Sequence, residues 1–210
     1  MEMDEELFTY DSDWIHELET IDQWKLYWMQ QNFMKDIISI EDEILEIGVG
    51  SGFCSNYLKS KGYSVTTLDI DENKNPDIVG NIVYYDFTKK FDYILAYDVL
   101  EHIPFKYVQN ILIKLRKNCR KGLFIQIPEY YPTVFSLKLK IPKIKKIEYS
   151  FLLPRFFPYK KKLYKNHHWE VNSSYETRLE SIIELFSKCG FSKVKVVFFE
   201  REWFMHFRII

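Results

Sequence analysis

A short apolar run that ends in closely spaced glycines is the feature that most limits how this chain can fold. Residues 43–47 read EILEI, and GVGSG at 48–52 and FCSNYLKS follow directly. An apolar run of this length is typical of a buried strand, and glycine lets the backbone turn sharply and approach a ligand closely. A helix that starts beyond the glycines offers unpaired N–H groups and a positive dipole end. We therefore predict a strand, a ligand-binding turn and a helix over Phe53–Lys61.

The rest of the chain continues this alternation of strands and helices. Further strands are predicted at Ser64–Ile70, Ile82–Tyr85, Phe91–Tyr97, Leu123–Ile127, Val194–Phe199 and Trp203–Ile210, and further helices at 14–38, Pro104–Lys117 and Tyr175–Lys188. Alternating elements of this kind favour a doubly wound α/β fold. We expect a mostly parallel, seven-stranded sheet with an antiparallel edge strand, interrupted by a Pro/Lys-rich inserted cap.

Composition excludes several classes of protein. The net charge of -1 is not that of a nucleic-acid-binding polycation. The three cysteines, Cys54, Cys119 and Cys189, have neither disulfide-framework nor zinc-site spacing. The acidic start of the chain is unlike a signal peptide, and no apolar run reaches the ~18 residues of a membrane span. We expect one domain in the cytoplasm.

An acidic residue at the end of the second predicted strand narrows the range of possible ligands. Asp69 lies about 20 residues beyond the glycines, where a carboxylate can accept hydrogen bonds from the ribose hydroxyls of an adenosine. Asp71 competes for the same role. A dinucleotide site would want glycine where the chain has Phe53, and no phosphate-binding lysine follows Gly52. A nucleoside cofactor without phosphate is favoured.

At this point the sequence resembles the class I, S-adenosyl-L-methionine-dependent methyltransferases, which have a Rossmann-like fold. The resemblance lies in ILEIGVGSG, in the acid of VTTLDID and in FDYILAYDVLEHIPF, and it covers residues 43–127. The segments NPDIVGNI, LKIPKIKKIEY, LPRFFP and HHWE resemble a bacterial methyltransferase group often associated with surface-polysaccharide loci. The resemblance implies N-terminal helices over 1–40, a cofactor-binding half over 41–127, a basic substrate insertion over 128–171 and a C-terminal helix and strand pair over 172–210.

The resemblance also assigns cofactor-binding residues. Those expected to contact S-adenosylmethionine are Glu46, Gly48, Val49, Gly50, Gly52, Asp69, Ile70, Asn81, Ile82 and Tyr97. Within this set, Glu46 and the glycine loop would hold the methionine part and Asp69 the ribose. Ile70 and Ile82 would contact the adenine, and Tyr97 would lie near the sulfonium. Asn81 stands where many relatives have an acid that accepts from the adenine amino group, and its amide oxygen could still accept. Asp86 is the alternative acceptor.

Three histidines are candidates for a general base, because a hydroxyl acceptor benefits from one. His167 is preferred and His168 is second, since both end the Pro/Lys-rich insertion. His102 follows the fourth predicted strand, at the sheet edge where such folds bind ligands, but it also fits a structural role at a helix start. A metal site made of His167, His168 and Glu170 lacks an evident third well-placed ligand, so no metal is expected.

The insertion is strongly basic, with ten lysines and arginines and one acid between Lys138 and Lys165. These charges suit a lid over the acceptor, a peripheral membrane contact or a solvated surface. The leading hypothesis is O-methylation of a sugar or phosphate-bearing glycan precursor, an anionic small-molecule or glycan acceptor.

Two other functions stay open. An RNA or other nucleic-acid methyltransferase is disfavoured because Ala96–Val99 lacks the tetrad of amino-group base methylation and the chain lacks a Pro-Cys nucleophile. A cofactor-binding scaffold without transfer activity is disfavoured by the intact glycines and Asp69. The sequence does not determine the oligomeric state.

Overall fold

The computed structural model describes residues 20–139, 147–152, 162–164 and 166–210. Its four α-helices and nine strands are, in chain order, α1 (Ile21–Met34), β1 (Glu43–Ile47), α2 (Phe53–Ser60), β2 (Ser64–Asp69), β3 (Ile78–Val79), β4 (Phe91–Tyr97), α3 (Val108–Asn118), β5 (Cys119–Pro128), β6 (Thr133–Leu139), β7 (Ile147–Leu152), α4 (Leu179–Lys188), β8 (Phe191–Phe199) and β9 (Glu202–Ile209).

Seven strands form one sheet in the order β3-β2-β1-β4-β5-β9-β8. The first five pair in parallel, and β9 runs antiparallel to both β5 and β8. The predicted fold, a seven-stranded and mostly parallel sheet with antiparallel pairing at its edge, is confirmed. In the parallel register Ile47 lies beside Leu68 and Ala96. The carboxyl ends of β1, β2 and β4 therefore meet at one edge of the sheet.

Both faces of the sheet are buried, which explains the continuous apolar runs in its central strands. One face packs on α3 and α4 through a core that includes Leu112 and Phe186. The other face packs on α1 and α2 through Phe33, Met34 and Leu58. Because the strands are covered on both sides, ligand access is left to the sheet edge where the strands end.

The third strand was wrongly predicted. The strand that pairs with β2 is Ile78–Val79, whereas residues 82–85 form a turn in which the amides of Tyr84 and Tyr85 donate to the Asn81 carbonyl. The apolar run at 82–85 misled the prediction because Ile82, only 5% exposed, enters the core from a turn instead of from a strand.

The observed helix starts differ from the predicted ones, and α3 begins at Val108 instead of Pro104, after a 3-10 helix at Phe105–Tyr107. Of the predicted helix 14–38, residues 14–19 lie outside the described residues, and α1 begins at Ile21 with the Thr20 hydroxyl accepting from the Gln23 amide. The C-terminal helix α4 begins at Leu179 instead of Tyr175. The preceding residues form a turn in which the Ser174 amide donates to the Thr177 hydroxyl, so side chains replace the helical hydrogen bonds there.

The expected cap is described only in part. Within 128–171, β6 and β7 form an antiparallel hairpin separate from the main sheet. Most of the basic residues fall outside the described part of the chain, namely Lys140, Lys143, Lys145, Lys146, Arg155, Lys160, Lys161 and Lys165. The lid and membrane-contact hypotheses thus stay predictions. None of the described helices combines the length and the apolarity needed to cross a bilayer.

Candidate functional site

The glycine loop leaves β1 at the sheet edge and leads into α2. Gly48, Gly50 and Gly52 have φ values of 76°, 55° and 76°, in the left-handed region that glycine enters without steric cost. The Gly48 amide donates to the Leu68 carbonyl at 2.8 Å, which fixes the start of the loop on β2. A Cβ on Gly48 would lie 2.4 Å from Cγ2 of Val99. Position 48 therefore requires glycine for space as well as for conformation.

Asp69 lies at the end of β2, only 4% exposed, and joins the loop. Its Oδ2 accepts from the Val49 amide at 2.7 Å and its Oδ1 accepts from the Asp71 amide at 2.9 Å. Lys74 Nζ lies 3.6 Å from Oδ2. The glycine bend and the carboxylate that sequence spacing linked are thus in direct contact on the same side of the sheet.

A cavity of about 810 Å³ opens at this edge. Nine of the ten predicted cofactor-binding residues line it: Glu46, Gly48, Val49, Gly50, Asp69, Ile70, Asn81, Ile82 and Tyr97. Gly52, the tenth, is the N-cap residue of α2. The volume is within the roughly 300–1,000 Å³ range typical of small-molecule and cofactor sites.

Glu46 provides a test of whether a methionine group fits. Its side chain is buried, with the residue 3% exposed, and Oε2 has no hydrogen-bond partner. Burial raises the pKa of the Glu46 carboxyl to about 7, although hydrogen bonds from Ser55 and Cys54 act in the other direction. A buried acceptor without a donor is costly, and an ammonium group of a ligand would satisfy it. The residues present fit S-adenosylmethionine at its amino-acid end.

The side expected to hold adenine is shaped by the turn at 81–85. Asn81 Oδ1 already accepts from the Val83 amide at 2.9 Å. Asp86, the alternative acceptor for the adenine amino group, has a 98% exposed side chain and does not line this cavity. Ile70 and Ile82 supply apolar surface on this side.

Lys114 holds that turn in place and was not singled out in the sequence. Its Nζ on α3 donates to the carbonyls of Ile82, Val83 and Tyr85 at 3.3, 3.0 and 2.6 Å. Burial lowers the pKa of Lys114, an effect that Asp86 opposes. No spacing in the sequence links a helical lysine to a loop about 30 residues earlier, so only the fold reveals this role.

Helix α1 forms one wall of the cavity. Tyr27 stacks on Phe53 with ring centroids 4.3 Å apart, and its hydroxyl lies 2.7 Å from the Ser51 hydroxyl in the glycine loop. Gln23, Leu26 and Gln30 also line the cavity. The sequence left open whether the N-terminal helices cover the cofactor or meet a second subunit, and the described part of α1 covers the cavity.

Tyr97 ends β4 beneath the same cavity. Its residue is 9% exposed, and its hydroxyl donates to the Met34 sulfur at 3.7 Å. Burial raises the pKa of Tyr97 well above its ordinary value, so the phenol stays neutral. The side chain therefore contributes a fixed, uncharged surface at the end of the strand.

Two of the three candidate histidines meet in the lining of the cavity. The rings of His102 and His167 lie 4.8 Å apart, edge to face, and both residues line the cavity. His102 Nδ1 is 3.1 Å from the Asn166 carbonyl and His167 Nδ1 is 3.0 Å from Glu170 Oε1. Burial and the neighbouring His167 lower the pKa of His102 to about 4. His168 is exposed and does not line the cavity.

Buried carboxyl groups line the same cavity, and the sequence analysis did not single out Asp98, Glu101 or Glu202. Glu101 is 0% exposed and neither of its oxygens has a hydrogen-bond partner. Asp98, at a φ of 53°, accepts from Gln126 Nε2 at 2.7 Å, and burial raises its pKa to about 7. Burial likewise raises the pKa of Glu202 and Glu101, with Asp98 adding like-charge repulsion to both. In the sequence, only the positions of these three acids, just after β4 and at the start of β9, could have indicated that they line the site.

Comparison with known proteins identifies the fold and the family. The sequence matches a family model described as a methyltransferase domain over residues 12–196. The chain belongs to this methyltransferase family. A search of curated protein sequences finds no significant match. The predicted class of enzyme, an S-adenosylmethionine-dependent methyltransferase, is confirmed.

Solved structures share the fold of this methyltransferase at low sequence identity. Magnesium protoporphyrin IX methyltransferase from Synechocystis PCC 6803, solved with bound S-adenosylmethionine, is 11% identical with a TM-score of 0.60, over 97% of this chain and 87% of that chain. An S-adenosylmethionine-dependent methyltransferase from Clostridium acetobutylicum ATCC 824 is 10% identical with a TM-score of 0.59, over 94% and 95%. A glycopeptide N-methyltransferase complexed with S-adenosylhomocysteine is 11% identical with a TM-score of 0.57, over 86% and 88%.

Proposed function

We propose that this methyltransferase transfers a methyl group to a hydroxyl of a sugar or a phosphate-bearing glycan precursor. The observation that carries the proposal is the meeting of His102 and His167 in the cavity that the glycine loop and Asp69 line. The basic composition of 138–165 supports a phosphate-bearing acceptor. The resemblance of several segments to methyltransferases associated with surface-polysaccharide loci supports a glycan.

The cofactor would be held by the residues that line the loop end of the cavity. Glu46 and the glycine loop would take the amino-acid end, Asp69 the ribose, and Ile70, Asn81 and Ile82 the adenine. S-adenosylmethionine, when bound, supplies an electrophilic methyl carbon on a positive sulfur. The protein's task is then to align the acceptor oxygen with that carbon and to exclude water, which α1 and the buried Tyr97 help to do.

The histidines supply the basic groups that a hydroxyl acceptor needs. A carbonyl oxygen can only accept, so His102 Nδ1 donates to Asn166 and the lone pair lies on Nε2. His167 Nδ1 beside Glu170 Oε1 favours the same tautomer. We assign proton acceptance from the acceptor hydroxyl to His167, with His102 orienting that hydroxyl. His168, the second candidate from sequence, lies outside the cavity and receives no role.

An amine acceptor is the second candidate, because the same end of the cavity carries buried acids. Burial raises the pKa of Asp98, Glu101 and Glu202, and a cationic ligand beside them would favour their ionised forms and be attracted by them, whereas a phosphate would not. One of the structural neighbours is a glycopeptide N-methyltransferase. In the hydroxyl hypothesis the phosphate must therefore lie away from this end, toward the basic insertion.

Transfer of radiolabelled methyl groups from S-adenosylmethionine tests the proposal. The acceptor fractions are sugar nucleotides, glycolipids, amino sugars and RNA, and label in the sugar or glycolipid fraction as a methyl ether is the expected result. His167→Ala should lower turnover by roughly 10²-fold or more while cofactor affinity is kept, and His168→Ala should retain more activity. Label on nitrogen or in RNA would overturn the proposed acceptor, and wild-type turnover in His167→Ala would overturn the assignment of the base.

A further inference from the structure

The cavity contains a cluster of atoms that could bind a metal ion, made of two of the candidate histidines and a buried carboxyl group that the base assignment does not use. Glu101, His102 and His167 each offer one carboxylate or imidazole atom, and these three atoms lie within 4.8 Å of one another. All three residues line the cavity. Two histidines and a carboxylate form a common donor set for divalent transition metals.

Glu101 is the most informative member of this cluster. It is completely buried, and neither carboxylate oxygen has a hydrogen-bond donor among the described residues. A carboxylate removed from water without a partner is strongly disfavoured, so its retention calls for a ligand that satisfies it. If Nδ1 of each histidine donates to its supporting oxygen, as assigned above, Nε2 of each imidazole carries a lone pair and cannot donate to Glu101. A cation that binds all three would satisfy the carboxylate where the histidines do not.

The groups behind the histidines have the arrangement that orients metal ligands. His167 Nδ1 is 3.0 Å from Glu170 Oε1, and His102 Nδ1 is 3.1 Å from the Asn166 carbonyl. In metal sites the second ring nitrogen of a histidine ligand usually donates to a carboxylate or a carbonyl, which fixes the ring and its tautomer. Both histidines therefore direct the lone pair of Nε2 away from their supporting groups.

The two segments that carry these side chains are locked together by hydrogen bonds. Glu101 and His102 lie in a short 3-10 helix, Leu100–His102, directly after β4. The His168 amide donates to the Glu101 carbonyl at 2.8 Å, and Trp169 Nε1 donates to the carbonyls of Leu100 and Ile103, each at 3.0 Å. These hydrogen bonds hold the metal-binding side chains of the two segments close together without help from an ion.

We propose that Glu101, His102 and His167 bind a divalent transition-metal ion, with an open coordination position facing the cavity. Bonds of about 2.0–2.2 Å in a tetrahedral site require ligand atoms roughly 3.3–3.6 Å apart. The ligand atoms lie within 4.8 Å of one another, so the ion would draw the most distant pair together by up to about 1.5 Å. Its positive charge would offset the crowding of Glu101 with Asp98, Glu170 and Glu202.

The effect of the ion on catalysis rests on the function proposed above. An acceptor hydroxyl at the open position would be polarised, so its pKa falls, its O–H bond breaks, the electron pair stays on oxygen and the proton passes to water. No group changes oxidation state. With the ion bound, His167 acts on the hydroxyl through the metal instead of accepting the proton itself.

Metal binding by the full chain tests the site without any acceptor. Protein stripped with EDTA and desalted is titrated with Co²⁺, followed by visible absorption, and with Zn²⁺, followed by calorimetry. We expect one equivalent to bind with micromolar or tighter affinity. Glu101→Gln and His167→Ala should each weaken binding at least about tenfold, and His168→Ala, an exposed neighbour outside the cluster, is the matched control and should bind like wild type.

Folding of each variant is checked by its affinity for S-adenosylhomocysteine, which the metal ligands do not contact in this proposal. Should Glu101→Gln not fold, His102→Ala provides the same test from the other segment. The site is refuted if wild type binds neither ion. It is also refuted if folded His167→Ala binds as tightly as His168→Ala and so does the folded variant of the other segment, which is Glu101→Gln or, in its place, His102→Ala. Metal binding without methyl transfer to any fraction would leave the site standing and count against the proposed function alone.

Discussion

At the scale of single residues, Asp69 has two tasks. Its two oxygens accept from the Val49 and Asp71 amides, so the carboxylate fixes the glycine loop. The same carboxylate is expected to bind the ribose. Substitutions at this position therefore act on loop geometry and on the ligand together. Replacing Asp69 with asparagine removes the negative charge and keeps the side chain nearly the same size and shape.

Asp69→Asn should weaken S-adenosylhomocysteine binding by at least about tenfold, or about 1.4 kcal/mol. The amide can accept through one oxygen only, and its NH₂ group would face a backbone N–H, so the loop should also lose about 1 kcal/mol of stability. Calorimetric titration measures the affinity. Asp71→Asn tests the competing carboxylate, which accepts from Asn73 in an exposed turn and does not line the cavity, and it should keep wild-type affinity. Wild-type affinity in Asp69→Asn would remove Asp69 from the site.

Glu46 gives a prediction about pH. Burial raises its pKa from 4.5 to about 7, so the folded state keeps a proton that the unfolded chain has already released. Stability contributed by this group should therefore fall as pH rises from about 4.5 to about 7. Between about pH 5.5 and about pH 8, unliganded wild type should lose about 2 kcal/mol more than Glu46→Gln, as measured by urea unfolding.

The control for this measurement is the exposed Glu72→Gln, which should keep the pH dependence of wild type. A Glu46→Gln variant that follows wild type across the same range would show that the carboxyl ionises normally in the folded protein. Saturating S-adenosylhomocysteine should reduce the loss in wild type, because a ligand ammonium group favours the ionised carboxylate.

At the scale of elements, helix α3 fixes a loop that belongs to the cofactor side of the cavity. Lys114 contributes three hydrogen bonds to carbonyls in the turn that carries Asn81 and Ile82. Asn81 accepts the hydrogen bonds within the turn, and Lys114 ties the turn to α3. The geometry of this part of the site therefore depends on how α3 packs.

Lys114→Met keeps the apolar stem and removes the donors. We expect S-adenosylhomocysteine affinity to fall several-fold, about 1 kcal/mol, with faster amide hydrogen exchange at residues 82–85. Lys117→Met, an exposed lysine on the same helix, is the matched control and should change neither quantity. Unchanged exchange in Lys114→Met would mean that the turn holds its shape without the lysine.

Elements differ in how well sequence predicted them. The strands at 43–47 and 91–97 were predicted with their observed bounds, because a buried parallel strand needs a continuous apolar run and turn signals end it. The third strand was misplaced because an apolar run such as residues 82–85 also suits a turn that packs inward. The role of α1 as a wall of the cavity depends on the stacking of Tyr27 on Phe53, which helical periodicity does not encode.

At the scale of the whole molecule, the parallel register assembles the cavity. Three strands end at the same edge, and each delivers one part of the site: the glycine loop after β1, Asp69 at the end of β2, and Asp98 and Glu101 after β4. A ligand that contacts all three links the central strands of the sheet, so binding should stabilise the fold as a unit.

Saturating S-adenosylhomocysteine should raise the unfolding temperature markedly. At about 100 times Kd the ligand contributes about 2.7 kcal/mol, which corresponds to a rise of about 5–10 °C for a domain of this size. Thermal unfolding followed by circular dichroism provides the measurement. NAD⁺ is the control, since Phe53 stands where a pyrophosphate site needs glycine, and a larger shift with NAD⁺ would contradict the cofactor assignment.

By itself, the sequence determined the fold class and predicted nine residues that line the cavity, because these depend on local patterns: apolar runs, glycines that the backbone requires, and an acid at the end of a strand. The enzyme class came from the family resemblance of the same segments. Only the tertiary structure revealed that His102 and His167 meet, that Glu101 is buried beside them and that Lys114 supports a distant turn. These contacts join segments that no periodic pattern relates, since they arise from strand order and from hydrogen bonds such as those of Trp169 to Leu100 and Ile103. The local sequence determines which side chains are present, whereas packing determines which of them lie next to each other.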